Sequence, residues 1–222
     1  MIIPQSCKLF TKYTKLSGRQ AIIREIRKNP VTILLGETGS GKTTRKLIQS
    51  YFEFSTSYHW LEVPQYILDS GIAGNKMIAV TQPRRVAATS LAQRVATERN
   101  VIIGTAVGYS VRFDELFSAQ TRIKFLTDGM IIRELLSDPL LSQYGVVIVD
   151  EAHERTLRTD MLLSNLKAIQ RKRNSDGGVG CPASNLVPLK VVIMSATLDA
   201  ERFSEFYDKC VFHLSLEVFF VS

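Results

Sequence analysis

Residues 36–43 read GETGSGKT, directly after the β-branched run PVTILL at 30–35. Gly36, Gly39 and Gly41 let the backbone turn so that successive amide N–H groups converge on phosphate oxygens. A helix following the loop adds its positive N-terminal end. Lys42 carries charge to the β- and γ-phosphates, and the Thr43 hydroxyl ligates Mg²⁺. Such a loop works only between a strand and a helix, which dictates an α/β architecture. An incidental glycine turn is the alternative, and the strand-then-helix context disfavours it.

The pattern along the chain agrees. KMIAV (76–80), TRIKFLT (121–127), GVVIVD (145–150) and LKVVIMS (189–195) read as further buried strands. Helical spacing recurs at 18–29, 84–98, 129–137 and 158–172, and PQY (64–66) looks like the middle of another helix. Apolar strands alternating with helices predict a parallel sheet with helices on both faces. RNSDGGVGCPASN (173–185) is turn-rich and reads as a surface loop. There is no internal repeat.

Composition sets outer bounds. The 222 residues are 45% hydrophobic and 22% charged, enough for one α/β domain. No apolar run reaches the length of a membrane span or a signal-peptide core, so neither membrane nor secretion is expected. Cys7, Cys181 and Cys210 form no CxxC pair, which fits a reducing compartment rather than a disulfide framework or zinc site. The net charge of +7 points weakly to nucleic acid.

VVIVDEAH (146–153) supplies a second half for the nucleotide site. A hydrophobic strand ends in two carboxylates at the edge where open α/β sheets bind ligands. Asp150 can hold Mg²⁺, leaving Glu151 to orient and deprotonate an attacking water. His153 reads as a relay contact rather than an acid or base. Ser195 and Thr197 end the next strand on the same edge, where their hydroxyls can reach the Asp-Glu strand end; from the tripeptide alone, a plain serine-threonine turn is the better reading.

QPRRVAA (82–88) opens a helix with two arginines, Arg84 and Arg85, in its first turn and Pro83 suited to that turn. Guanidiniums there oppose the helix dipole unless an anion joins them. TDGM (127–130) makes Thr127 an N-cap candidate on a second strand-to-helix turn. Only one helix N-terminus is needed for ATP, so the others can follow a polynucleotide backbone. Surface ion pairs are the competing explanation.

GETGSGKTT, TQPRRVAA, GYSVRF (108–113), FLTDGM, DEAHERT (150–156) and MSATLDAERFS (194–204), in that order, resemble the DEAH-box RNA helicases. The resemblance covers about residues 18–207 and lies nearest the ribosome-biogenesis branch, with the splicing branch close behind. It implies an α/β, RecA-like P-loop NTPase lobe that binds ATP with Mg²⁺. Its nucleotide set would be Gly36, Thr38, Gly39, Ser40, Gly41, Lys42, Thr43 and Thr44, with Arg94 stacked on the adenine. Arg84, Arg85, Arg112 and Thr127 would lie on an RNA path that ignores sequence, and Ser195 and Thr197 would couple hydrolysis to strand movement. The implied location is the nucleus, with the nucleolus as the narrower expectation; activating protein partners are also implied.

The organisation expected is an N-terminal extension (1–17), the helicase lobe (18–209) and a divergent tail (210–222). The family's second lobe, which completes the ATP site, is missing, so weak hydrolysis is expected. Residues 45–62 stand where the family has one glutamine. A surface insertion is one reading, though Tyr51, Phe52, Phe54, Tyr58 and Trp60 are unlike a polar loop. A translated intron accounts for them better: Arg45–Leu47 are compatible with a GTAAGT donor and Leu61–Val63 with a TAG acceptor, and excision restores GKTTQVPQY. Two rival functions are a catalytically silent RNA- or partner-binding module with the lobe's shape, and a P-loop ATPase acting on something other than RNA.

Overall fold

The computed structural model describes residues 15–36, 61–174, 186–195, 203, 205–207 and 211–216, of which 15–18, 36 and 211–216 are described by backbone alone. In chain order the elements are α1 (Lys15–Lys28), β1 (Val31–Gly36), α2 (residues 61–69), β2 (Met77–Gln82), α3 (Arg85–Glu98), β3 (Val107–Val111) and β4 (Asp114–Leu116). They continue with β5 (Ile123–Thr127), α4 (Asp128–Ser137), β6 (Tyr144–Val149), a single 3-10 turn (Ala152–Glu154), α5 (Leu157–Asn174), β7 (Lys190–Ser195) and β8 (Val211–Leu216).

The strands form one sheet in the order β4-β3-β5-β2-β6-β7-β1-β8. Every neighbouring pair is parallel except β3 with β4. Parallel pairing brings the carboxyl ends of β1, β2, β5, β6 and β7 to one edge.

Alternation along the strands sorts side chains onto two faces. Leu34, Ile78, Val80, Ile148 and Val192 pack with Ile22 and Ile26 of α1, Val63 and Ile67 of α2, and Ala88 and Val95 of α3. Ile33, Leu35, Ala79, Val147 and Val149 pack on the other face with Ile131 of α4 and Leu162, Leu166 and Ile169 of α5. Both faces are therefore covered, which is why the central strands read as continuous apolar runs rather than alternating ones.

Three strands lie outside the sequence reading. β3 and β4 make a hairpin at one sheet edge, and Gly108 is required there: a Cβ on it would lie 2.5 Å from the Leu116 carbonyl oxygen. β8 falls within the stretch set apart as a tail, yet it pairs with β1 from Val31↔Val211 to Gly36↔Leu216.

Two expectations need correcting. α5 runs to Asn174, two residues into the stretch read as loop. Arg173 is only 4% exposed there because its guanidinium donates to the carbonyls of Leu140, Leu141, Tyr144 and Val187. Those backbone acceptors replace the water that an arginine otherwise needs. Pro83 precedes the helix it was read to open, because Arg84 is the N-cap, with extended backbone, and Arg85 the first helical residue.

Candidate nucleotide and nucleic-acid site

β6 delivers Asp150 to the carboxyl edge, and β2 delivers Gln82 beside it. The Gln82 amide donates to Asp150 Oδ2 at 2.6 Å, and the Glu151 backbone N–H donates to Oδ1 at 2.8 Å. The Asp150 N–H in turn donates to the Thr81 carbonyl at 3.2 Å. Burial, reinforced by the Glu151 carboxylate, pushes the Asp150 carboxyl up to about 7. A buried carboxylate without partners is costly; Gln82 and the backbone meet part of that cost here.

Glu151 adopts the left-handed conformation, φ 53°, and so does Arg155, φ 47°. Such backbone is uncommon outside glycine. Here it ends β6 abruptly and turns the Glu151 side chain back towards His153, whose Nε2 lies 3.2 Å from Glu151 Oε2. Ser195 is buried at the end of β7, the strand adjacent to β6, two residues past the Val149↔Ile193 pair. A cavity of about 180 Å³ borders Gln82, Asp150 and Glu151 and is closed by Pro64, Leu91 and Met194.

The basic residues divide. Arg84 is exposed and pairs with Glu154 at 3.0 Å, so the ion-pair explanation holds for its present contact. Arg85 is exposed at the start of α3. Arg112 packs over the Phe113 ring at 4.7 Å in the β3–β4 turn. Thr127 is the N-cap of α4, but its side chain makes no capping hydrogen bond. Arg112 and Thr127 line one cavity, of about 390 Å³. Arg94 lies on α3 with its Nε 3.0 Å from Glu98 Oε1.

Residues 17–206 match the family described as DEAD/DEAH box helicase. The chain belongs to that family. It is 46% identical over 191 residues to the ATP-dependent RNA helicase DHX33 of Homo sapiens, which covers 86% of this chain and 24% of that protein. The pre-mRNA-splicing factor ATP-dependent RNA helicase DEAH10 of Arabidopsis thaliana is 41% identical over 86% of this chain and 28% of its own length. The probable ATP-dependent RNA helicase DHR2 of Saccharomyces cerevisiae is 44% identical over 86% and 22%. The chain thus spans about a quarter of the length of these relatives, the part that forms the ATP-binding lobe.

Of the helicase lobe's expected nucleotide set, Gly36 closes β1. Thr38, Gly39, Ser40, Gly41, Lys42, Thr43 and Thr44 lie outside the described residues, as do Thr197 and residues 45–60 of the insertion. Its last two residues, 61–62, belong to α2, and Leu61 is 5% exposed in the core.

Several helicase residues at this edge escaped sequence reasoning. Gln82 sits inside the quoted QPRRVAA, but nothing local shows that β2 lies beside β6. Glu154 is likewise inside DEAHERT, and its role as Arg84's partner depends on the same adjacency. Asp128, 2% exposed, accepts from the Thr159 hydroxyl at 2.6 Å and ties the start of α4 to α5.

Proposed function

We propose that this chain is the nucleotide-hydrolysing lobe of a DEAH-box RNA helicase, and that its whole protein uses ATP to remodel RNA or RNA–protein complexes. The observation that carries the reading is the meeting of Asp150 and Gln82 at the carboxyl edge, with the arginine-bearing start of α3 and the Thr127-capped start of α4 on the same edge.

Lys42 and the backbone of Gly39–Thr44 bind the phosphates, and Arg94 stacks on the adenine. Mg²⁺ fits the donor set. Asp150 offers hard carboxylate oxygens, and a carboxyl raised by burial is what a divalent cation would relieve. Thr43 and Asp150 would hold the ion, which would supply charge neutralisation at the β- and γ-phosphates. Glu151 orients the water and accepts its proton, while His153 holds the Glu151 side chain. Ser195 and Thr197 relay the state of this edge to the neighbouring strand. Arg84, Arg85, Arg112 and Thr127 contact RNA phosphates without reading bases. A second lobe and activating protein partners would complete the motor. The nucleus, and within it the nucleolus, is the proposed location; the Arabidopsis relative's name, a pre-mRNA-splicing factor, supports the first.

Fluorescent-nucleotide binding and ATP turnover, each with and without single-stranded RNA, test this function. Lys42→Ala is expected to abolish nucleotide binding with the fold intact. Glu151→Gln is expected to keep binding and lose hydrolysis. Nucleotide affinity equal in wild type and Lys42→Ala would overturn the reading. Nucleotide binding with no turnover, RNA present or absent, would favour a silent binding module.

A further inference from the structure

Beyond the end of β5, the first turns of α4 and α5 enclose the 390 Å³ cavity that Arg112 and Thr127 share. Arg133 and Arg158 line it as well. Arg158 is laid over the first turn of α4: a Cβ on Gly129 would lie 3.5 Å from Arg158 Cδ and 3.6 Å from its Nη1. A guanidinium at that place faces the positive end of the helix. Arg158 acts electrostatically on Asp128, which is buried at the first position of α4. Asp128 Oδ2 is taken by Thr159, and its Oδ1 makes no hydrogen bond, so the guanidinium is not hydrogen-bonded to it. Three guanidiniums and a helix N-terminus thus face one cavity, an arrangement that an anion stabilises.

An independent observation concerns Thr127. It is more than nine-tenths buried, occupies the N-cap position and lines the same cavity, yet its hydroxyl makes no capping bond. The hydroxyl oxygen is not sealed from solvent and can be reached from the cavity. A phosphate oxygen above the first turn of α4 would satisfy it.

We propose that Arg158, with Arg133 at the rim, is a phosphate ligand of this lobe, clamping one phosphodiester of single-stranded RNA against Thr127 and the start of α4. The inference rests on the RNA path proposed above and extends it to α5, the helix that follows the DEAH turn. The same helix then carries a ligand of the RNA and, through Thr159, the buried contact to Asp128.

The test is fluorescence anisotropy of a labelled twelve-residue oligouridylate, titrated with the 222-residue chain over a series of KCl concentrations. Each phosphate contact on a single strand contributes about 0.7 to the slope of log affinity against log salt. Arg158→Ala is expected to weaken binding several-fold at low salt and to lower that slope by about 0.7. Arg158→Lys should keep the slope while losing part of the affinity, because it retains the charge but not the planar fork. Lys28→Ala, the same charge change at the end of α1 on the opposite edge of the sheet, should leave the slope unchanged. Thermal unfolding of each variant separates binding from folding. If Arg158→Ala shifts the slope no more than Lys28→Ala, while the wild-type chain binds RNA, the role of Arg158 is wrong and the RNA path stands. If the wild-type chain binds no RNA at any salt concentration, both fall.

Discussion

The side-chain amide of Gln82, the last residue of β2, donates to Asp150 Oδ2 at 2.6 Å across 68 residues of chain. It aims the carboxylate proposed to hold Mg²⁺. Gln82→Leu removes the donor at similar volume. Support of a metal ligand by such a neighbour is commonly worth about 10- to 100-fold in metal affinity or activity. The expected outcome is weaker Mg²⁺-dependent nucleotide binding by that order, with metal-free nucleotide affinity little changed. Titrating Mg²⁺ against a fluorescent ATP analogue reads this; equal metal dependence in both proteins would refute the support role.

Lys124 is 2% exposed in β5, its ammonium 2.7 Å from Glu134 Oε1 and 3.8 Å from the centroid of the Phe117 ring. It joins the central sheet to α4 and to the β4 edge. Glu134 also accepts from the Tyr144 hydroxyl at 2.7 Å and the Gln143 amide at 3.1 Å. Lys124→Ala leaves that carboxylate partly buried without its cation, at a cost of about 3–5 kcal/mol. In a chain of this size the melting midpoint should fall by roughly 6–20 °C. Lys124→Met should cost less, since it keeps the apolar stem. A fall below about 1 °C for the alanine variant would contradict the pairing.

Asp128 carries a pH signature. Burial, the largest influence, raises its carboxyl above the ordinary range, with the Thr159 and Thr81 hydroxyls opposing. The Thr81 hydroxyl is near enough to act on the carboxyl but is not aligned to hydrogen-bond with it. A raised folded-state value means that folding favours the protonated acid. Its stabilising contribution is therefore present below the unfolded value near 4 and is lost as pH rises through the folded value. Asp128→Asn keeps an acceptor for Thr159, offers a donor towards Thr81 and removes the titration. It is expected to raise stability at pH 7.5 relative to wild type and to narrow the difference towards pH 4. Denaturant unfolding at both values reads the sign; a variant less stable at pH 7.5 would mean that the charge itself is needed there.

Replacing residues 45–62 with one glutamine is expected to improve nucleotide binding, because the segment after Lys42 then runs directly into VPQY. Ordering the extra seventeen residues costs about 1–2 kcal/mol each wherever they are fixed. The replacement also removes Leu61 from the core and brings Thr44 to its place in the helix. Thermal unfolding with and without a non-hydrolysable ATP analogue weighs these effects. A higher midpoint in the shortened chain supports the intron explanation, and a lower one means that the burial of Leu61 outweighs the entropy.

The sequence alone determined the local features whose cause lies within a few residues. The apolar runs of β1, β2, β5, β6 and β7 and the helical spacing that follows β2 and β5 depend on periodicity, and this is written in neighbouring residues. Asp150 and Glu151 at a strand end were visible for the same reason. Tertiary structure decided what depends on strand order. β2 lying beside β6 turns Gln82 into the partner of Asp150, and Thr159 reaches Asp128 across 31 residues. β4 and β8 are the edge strands of the sheet and β3 lies next to β4; β3, β4 and β8 are stabilised by pairing with β5, β3 and β1 rather than by a strong pattern of their own. Arg173 reads as a solvent residue until four carbonyls close around it. Arg158 reads as one more surface charge until the fold lays it over Gly129, because the hydrogen bonds and fields that give these side chains their roles come from segments that meet only in the folded sheet.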